Sequence, residues 1–211
     1  MRILTHHREI LTPEQVQLLG VVKEFDKRFG LVGGTAVALQ IGHRESIDFD
    51  LFTKDPTALF TIKKLLSTMR RYAIIEQVIR DRDEELTLKI LGVQFTFFHF
   101  PHVIPYTVRL RGTIDMPDLL TLAAMKAYAL GQRSKWKDYV DLYFILREHH
   151  SLDEIAAQAK ELFRGEFNER LFRQQLPFFE DVSYKEKVTF KPGFDVSDDE
   201  IKRFLQEASV S

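Results

Sequence analysis

The sequence predicts an α+β fold: a small sheet domain over residues 1–115 and a helical domain over residues 116–211. Three observations carry this. Period-2 apolar runs cluster before residue 115, at 47–52, 73–79, 86–91, 93–100 and 106–114. Helical spacing of apolar residues dominates after it. Strands and helices are therefore segregated, which argues against a doubly wound sheet.

The elements follow in order. Thr12-Pro13-Glu14 puts a capping hydroxyl before a proline at the first helical position, and predicts a helix over 12–28. A short apolar run ends at Leu31-Val32, turns at Gly33-Gly34, and leads into a short helix over 35–42. Residues 47–52 alternate as a strand, with Ile47, Phe49 and Leu51 directed to a core. After Asp55-Pro56-Thr57, the spacing of Leu59, Ile62, Leu65, Leu66 and Met69 predicts a helix over 58–70. Strands follow over 73–79, 86–91 and 93–100, the last two joined at Gly92. The run 106–114 alternates Val108 and Leu110 against Arg109 and Arg111, and reads as one more strand. Asp115-Met116-Pro117-Asp118 opens a helix that ends at Gly131, and Ser134 is read as the cap of the next, to His149. Further helices are expected over 152–163, 167–175 and 198–208.

Composition narrows the function classes. The chain is 45% hydrophobic and 29% charged, ordinary for a globular protein, and its 18 Phe predict an aromatic core. A net charge of −1 supplies no global basic field, so a nucleic-acid contact would need a local patch. Arg109, Arg111, Arg133, Lys135 and Lys137 are the candidates for one; an ordinary solvated face is the alternative. With no Cys, disulfides and Cys-ligated zinc are excluded, and a cytoplasmic location is expected. No apolar stretch reaches the length of a membrane span, and Met1 to Arg8 lacks the apolar core of a signal peptide. The seven His show no metal-ligand spacing, and no GxSxG is present.

Three motifs carry chemistry. The first is Gly33-Gly34-Thr35 followed by Asp48-Phe49-Asp50. Residues i and i+2 of a strand share a face, so Asp48 and Asp50 project together. Two adjacent carboxylates are costly unless a cation such as Mg²⁺ sits between them. The Gly-Gly turn opens a helix whose N–H groups can cradle a triphosphate. Together these suggest metal-assisted nucleotidyl transfer; a polar strand face is the alternative reading. The second motif is Lys126, in a helix apolar almost all round. It must snorkel, pair or do chemistry, and its ammonium is expected to meet phosphate or an active-site carboxylate. The third is Asp138 and Asp141, on one helix face at i and i+3. Their structural reading is a favourable helix dipole for Asp138 and a Lys137–Asp141 pair.

These residues resemble the AbiEii/AbiGii toxin family of nucleotidyltransferases, within the polymerase-β-like superfamily. The resemblance rests on Gly33-Gly34-Thr35-Ala36, on His43-Arg44-x-Ser46-x-Asp48-Phe49-Asp50-Leu51-Phe52, on Met125-Lys126-Ala127 with Arg133, and on Lys137-Asp138-Tyr139-x-Asp141-Leu142, across residues 30–145. It implies a polymerase-β-like mixed sheet with flanking helices, packed on the C-terminal helical domain, with the site in the cleft between them. It implies an NTP substrate, Mg²⁺ on Asp48 and Asp50, and nucleotide contacts from Gly33, Gly34, Thr35, Arg44, Ser46, Lys126 and Arg133. Asp138 or Asp141 would close the site. It further implies an RNA acceptor, commonly a tRNA 3′ end, and a cognate antitoxin. One departure stands out. Many superfamily members carry a third carboxylate on a neighbouring strand as base, and Thr96 is read as standing in its place. Either Asp138 or Asp141 then supplies the base, or the protein binds nucleotide or RNA with weak or no turnover.

Overall fold

Phe49, Leu51, Phe95 and Phe97 are wholly buried, and they pair across two adjacent strands, Phe49 beside Phe95 and Leu51 beside Phe97. The same two strands turn Asp50 and Thr96 to the opposite face. This division between an aromatic face and a polar face positions the candidate site. The structure, a computed structural model, describes residues 7–57, 62–82 and 84–210. The chain divides into two compact units, Met1–Asp118 and Leu119–Ser211.

The first unit runs α1 (Pro13–Lys23), β1 (Phe29–Val32), α2 (Gly33–Ile41), β2 (Phe49–Thr53), α3 (Ile62–Tyr72), β3 (Gln77–Arg82), β4 (Glu85–Ile90), β5 (Val93–Phe98), β6 (Val108–Leu110) and β7 (Ile114–Met116). The sheet order is β1-β2-β5-β4-β3. Only β2 and β5 pair in parallel, and α3 with the β3–β4 hairpin makes the crossover that a parallel pair requires. Phe25 and Phe29 meet Phe97 edge-on at 4.9 and 5.2 Å between ring centroids. Such pairs contribute about 0.5–1.5 kcal/mol each beyond burial. On the polar face one cross-strand row reads Asp50, Thr96, Thr87, Arg80.

A separate hairpin, β6–β7, is fixed by four charges. Arg109 donates to Asp26 and Asp115 at 2.6 Å each, and Lys54 reaches Asp115 at 2.7 Å and Asp26 at 3.3 Å. Burial pushes the Asp26 carboxyl up, but the Arg109 guanidinium, Lys54 and the Asp115 amide outweigh it and hold the group below the usual range.

The second unit is helical: α4 (Leu119–Leu130), α5 (Trp136–Glu148), α6 (Leu152–Phe163), α7 (Glu169–Gln175) and α8 (Asp198–Ser209). Packing of α4 on α6 includes Tyr128 stacked on Phe163 at 4.2 Å. Ser151 and Glu154 form a capping box at the start of α6. Among the described residues no helix is long and apolar enough to cross a membrane.

Several sequence expectations change. The first helix keeps its Thr12 cap, completed by Gln15, but ends at Lys23, with turns to Arg28. The 58–70 helix is described from Ile62 to Tyr72, and 58–61 lie outside the described residues. The 73–79 strand starts only at Gln77, because the Ala73 N–H still bonds the Met69 carbonyl in α3's last turn. The single strand over 106–114 is two short strands: Gly112, at φ +72°, supports a turn that leaves Arg111 outside the strand. Asp115 and Met116 then belong to β7, and the helix begins at Leu119. Ser134 caps nothing; its hydroxyl hydrogen-bonds Asp181 at 3.2 Å, and Lys135 takes the cap position. Ile47 precedes β2 and is exposed.

Candidate active site

The site in the first unit begins where β1 hands over to α2. Gly33 has φ +71°, a region that favours glycine. A β-carbon there would lie 2.2 Å from Asp50 Oδ2. At Gly34 a β-carbon would lie 2.5 Å from Arg44 Nη2 and 3.2 Å from Ser46 Oγ. Both glycines are thus needed so that a carboxylate and a guanidinium can rest on the first turn of α2. Val32, the cap residue, offers that turn no side-chain acceptor.

The loop between α2 and β2 is tied to the helix by Thr35. Its hydroxyl lies 2.9 Å from Ser46 Oγ and also reaches the Asp48 carbonyl. Thr35 and Ser46 are both buried. Their hydroxyls serve the loop, so Thr35's remaining offer to a ligand is its backbone N–H. Arg44 is the bulkiest of the fully buried side chains among the described residues, and its Nη1 donates to the Glu45 carbonyl at 2.9 Å. A buried guanidinium over a helix N-terminus whose cap residue offers no side-chain acceptor concentrates positive charge there, an arrangement that fits an anion.

Asp48 and Asp50 are half-buried beside this positive turn, Asp48 just before β2 and Asp50 within it. Among the described residues no group of three or more His, Cys, Asp or Glu is placed to hold a metal. Two carboxylates suit Mg²⁺ all the same, because that ion is commonly held by one or two carboxylates, with water and substrate phosphates supplying the other oxygens. Thr96 stands opposite Asp50 on β5.

In the second unit Lys126 is buried and does not snorkel. Its Nζ lies 2.7 Å from Asp138 Oδ1 and 2.7 Å from Asp141 Oδ2. The helical registers produce this: Lys126 on the inner side of α4 meets the i and i+3 pair on α5. Asp141 is completely buried. Asp138 Oδ2 is buried with no hydrogen-bond partner. Arg133 Nε approaches it only to 3.9 Å, beyond a hydrogen bond. The Lys137–Asp141 pair suggested by the sequence does not form. Lys137 and Lys135 both bind Glu186 at 2.8 Å. Burial pushes the Glu186 carboxyl up, and the two lysines outweigh it and bring it down to about 2.

The basic patch suggested by composition is therefore largely neutralised within each unit. Arg109 is held by Asp26 and Asp115, and Lys135 and Lys137 by Glu186. Arg111 is exposed and Arg133 is 59% exposed at its side chain. Sequence reasoning passed over Glu186 and Asp26, whose partners are 28 to 89 residues away and carry no local signal.

The sequence matches the family described as "Nucleotidyl transferase AbiEii toxin, Type IV TA system" over residues 18–208, and the chain belongs to that family. It is 28% identical to the uncharacterized protein aq_aa25 of Aquifex aeolicus (strain VF5), over 98% of this chain and 97% of that protein. Its fold is similar to that of MenT4, a nucleotidyltransferase toxin from Mycobacterium tuberculosis H37Rv, with a TM-score of 0.60, 13% identity, and coverage of 92% of this chain and 80% of that one. It is also similar to JHP933 from Helicobacter pylori, with a TM-score of 0.52, 15% identity, and coverage of 95% and 90%.

Proposed function

We propose that the protein transfers a nucleoside monophosphate from an NTP to an acceptor hydroxyl. The observation that carries this reading is the Asp50 carboxylate resting on Gly33 at the start of α2, with the Arg44 guanidinium on Gly34 beside it. The first-turn N–H groups of Gly33, Gly34 and Thr35, with Arg44 behind them, bind the triphosphate. Asp48 and Asp50 hold Mg²⁺, which when bound offsets charge on the phosphates. Lys126 and Arg133 are the phosphate-binding candidates that residues 116–211 supply.

The acceptor oxygen attacks the α-phosphorus, the bond from that phosphorus to the bridging oxygen breaks, and pyrophosphate leaves. The hydroxyl proton goes to Asp138 Oδ2, the one carboxylate oxygen of the Lys126 cluster found buried without a hydrogen-bond partner. Asp141, fully buried against Lys126, orients that lysine. Family membership supports a cognate antitoxin; the acceptor of this proposal is RNA such as tRNA.

The test is incubation with each α-labelled NTP and total tRNA. Label should move to RNA with the wild type and fail to move with Asp48→Ala or Asp138→Asn. A second reading is favoured by Thr96 beside Asp50: nucleotide or RNA binding without turnover. Calorimetry would then register NTP binding with no pyrophosphate release, and Asp48-dependent pyrophosphate release would refute it.

A further inference from the structure

Lys202, on α8, makes no ion pair among the described residues. Its ammonium lies 5.7 Å from the Trp136 ring centroid, 5.9 Å from Phe179 and 5.4 Å from Tyr184. All three are within the ~6 Å reach of a cation–π contact. The walls also meet one another: Trp136 lies 5.2 Å from Tyr184 and 6.3 Å from Phe179. A long cationic side chain on an exposed-edged helix would normally extend into water. This one is half-buried against three aromatic faces instead.

The cage sits at a sensitive place. Trp136 is the first residue of α5, two before Asp138. The start of α5 has no side-chain cap, and the Trp136 N–H is instead satisfied by the Ser183 carbonyl at 3.1 Å. The Ser183 N–H in turn bonds the Ser134 carbonyl at 2.9 Å. The strap over 178–186 therefore serves as the cap of α5, and Phe179 and Tyr184 of that strap are two walls of the cage. Elsewhere α8 is held on α5 by buried Ile201 and Leu205 and by Tyr143 against Phe204 at 5.1 Å. Lys202 is the side chain that joins α8, the strap and the first turn of α5 at one point.

We infer that Lys202 is a positioning residue: in contact with Trp136, Phe179 and Tyr184, it clamps α8 and the strap onto the first turn of α5 and so fixes Asp138 and Asp141 against Lys126. Its effect on turnover rests on the proposed nucleotidyl transfer; its effect on the order of α5 does not.

The test compares Lys202→Met, which keeps length and loses charge, with Lys202→Arg, which keeps the cation. Trp136 is the only tryptophan, so its emission and iodide quenching report the cage directly. The Met variant should expose Trp136 to quencher and speed amide exchange at residues 136–139, with kcat down about tenfold, KM for NTP within about twofold and the Arg variant near wild type, the pattern of a lost transition-state arrangement rather than lost binding. Tyr184→Leu, at an exposed wall, is the milder second variant and should shift exchange in the same direction should the Met variant unfold. Unchanged exchange and quenching in both Lys202→Met and Tyr184→Leu would overturn the clamp, as would equal losses in the Met and Arg variants. A wild type that transfers no nucleotide to any acceptor would refute the proposed function, while exchange and quenching would still decide the clamp.

Discussion

Asp50 Oδ2 occupies the space that a β-carbon at Gly33 would need, 2.2 Å from it. The turn glycine and the strand carboxylate are therefore one constraint. Gly33→Ala meets two penalties: a left-handed backbone, costing roughly 1–2 kcal/mol for a residue with a β-carbon, and displacement of Asp50. It should lower the denaturation midpoint and abolish transfer even where the protein still folds. Gly34→Ala meets no left-handed penalty, only the end of the Arg44 side chain at 2.5 Å and Ser46 Oγ at 3.2 Å. It should leave stability closer to wild type and weaken NTP binding, measured by urea titration and calorimetry.

The Lys126 cluster makes a second prediction. Removing one partner of a buried ion pair leaves uncompensated charge and costs about 3–5 kcal/mol. Lys126→Met leaves two carboxylates buried together and should fall in that range by urea denaturation. Lys126→Met combined with Asp141→Leu should recover part of the loss, because an apolar replacement removes the stranded charge. Full additivity of the two losses would contradict a direct Lys126–Asp141 pair.

Glu186 predicts a pH dependence. Its carboxyl is depressed to about 2 by Lys135 and Lys137, from an unfolded value of 4.5. A depressed carboxylate contributes stability that is fully present above the unfolded pKa and is lost as pH falls toward the folded one. Glu186→Gln should thus be less stable than wild type at neutral pH, and the difference should shrink between pH 4.5 and about 2. Acid titration of the two proteins followed by far-UV dichroism checks this; a difference constant across that window would contradict the pairing.

Local chemistry was the part of the fold that could be read from sequence. The Thr12 cap, the Gly92 hairpin and the alternation that turns Asp50 away from Phe49 and Leu51 all follow from a few adjacent residues; Asp48, expected in the same strand, lies just before it. Lys126 could be singled out because a lysine in an apolar helix demands a partner, but that the partners are Asp138 and Asp141 is visible only in the structure. What failed depends on distant partners. Ser134 has the chemistry of a helix cap, but Asp181 takes its hydroxyl. Arg109 has the look of a free basic residue, but Asp26, 83 residues away, neutralises it. Asp115 reads as a helix start, yet its N–H bonds the Asp26 carboxylate from within β7. Gly112 was the one local signal overlooked, since a glycine at φ +72° marks the turn that splits the expected strand.

Asp48 and Asp50 are proposed to support transfer of the α-phosphate of an NTP. The most direct measurement uses one NTP labelled in turn at its α- and γ-phosphates, with total tRNA as acceptor and Mg²⁺ present, for the wild type and for Asp48→Ala/Asp50→Ala. The account predicts label in RNA from the α-position only, pyrophosphate in equal amount, and no transfer by the double variant. Transfer that persists in the double variant, or label arriving from the γ-position, would contradict it.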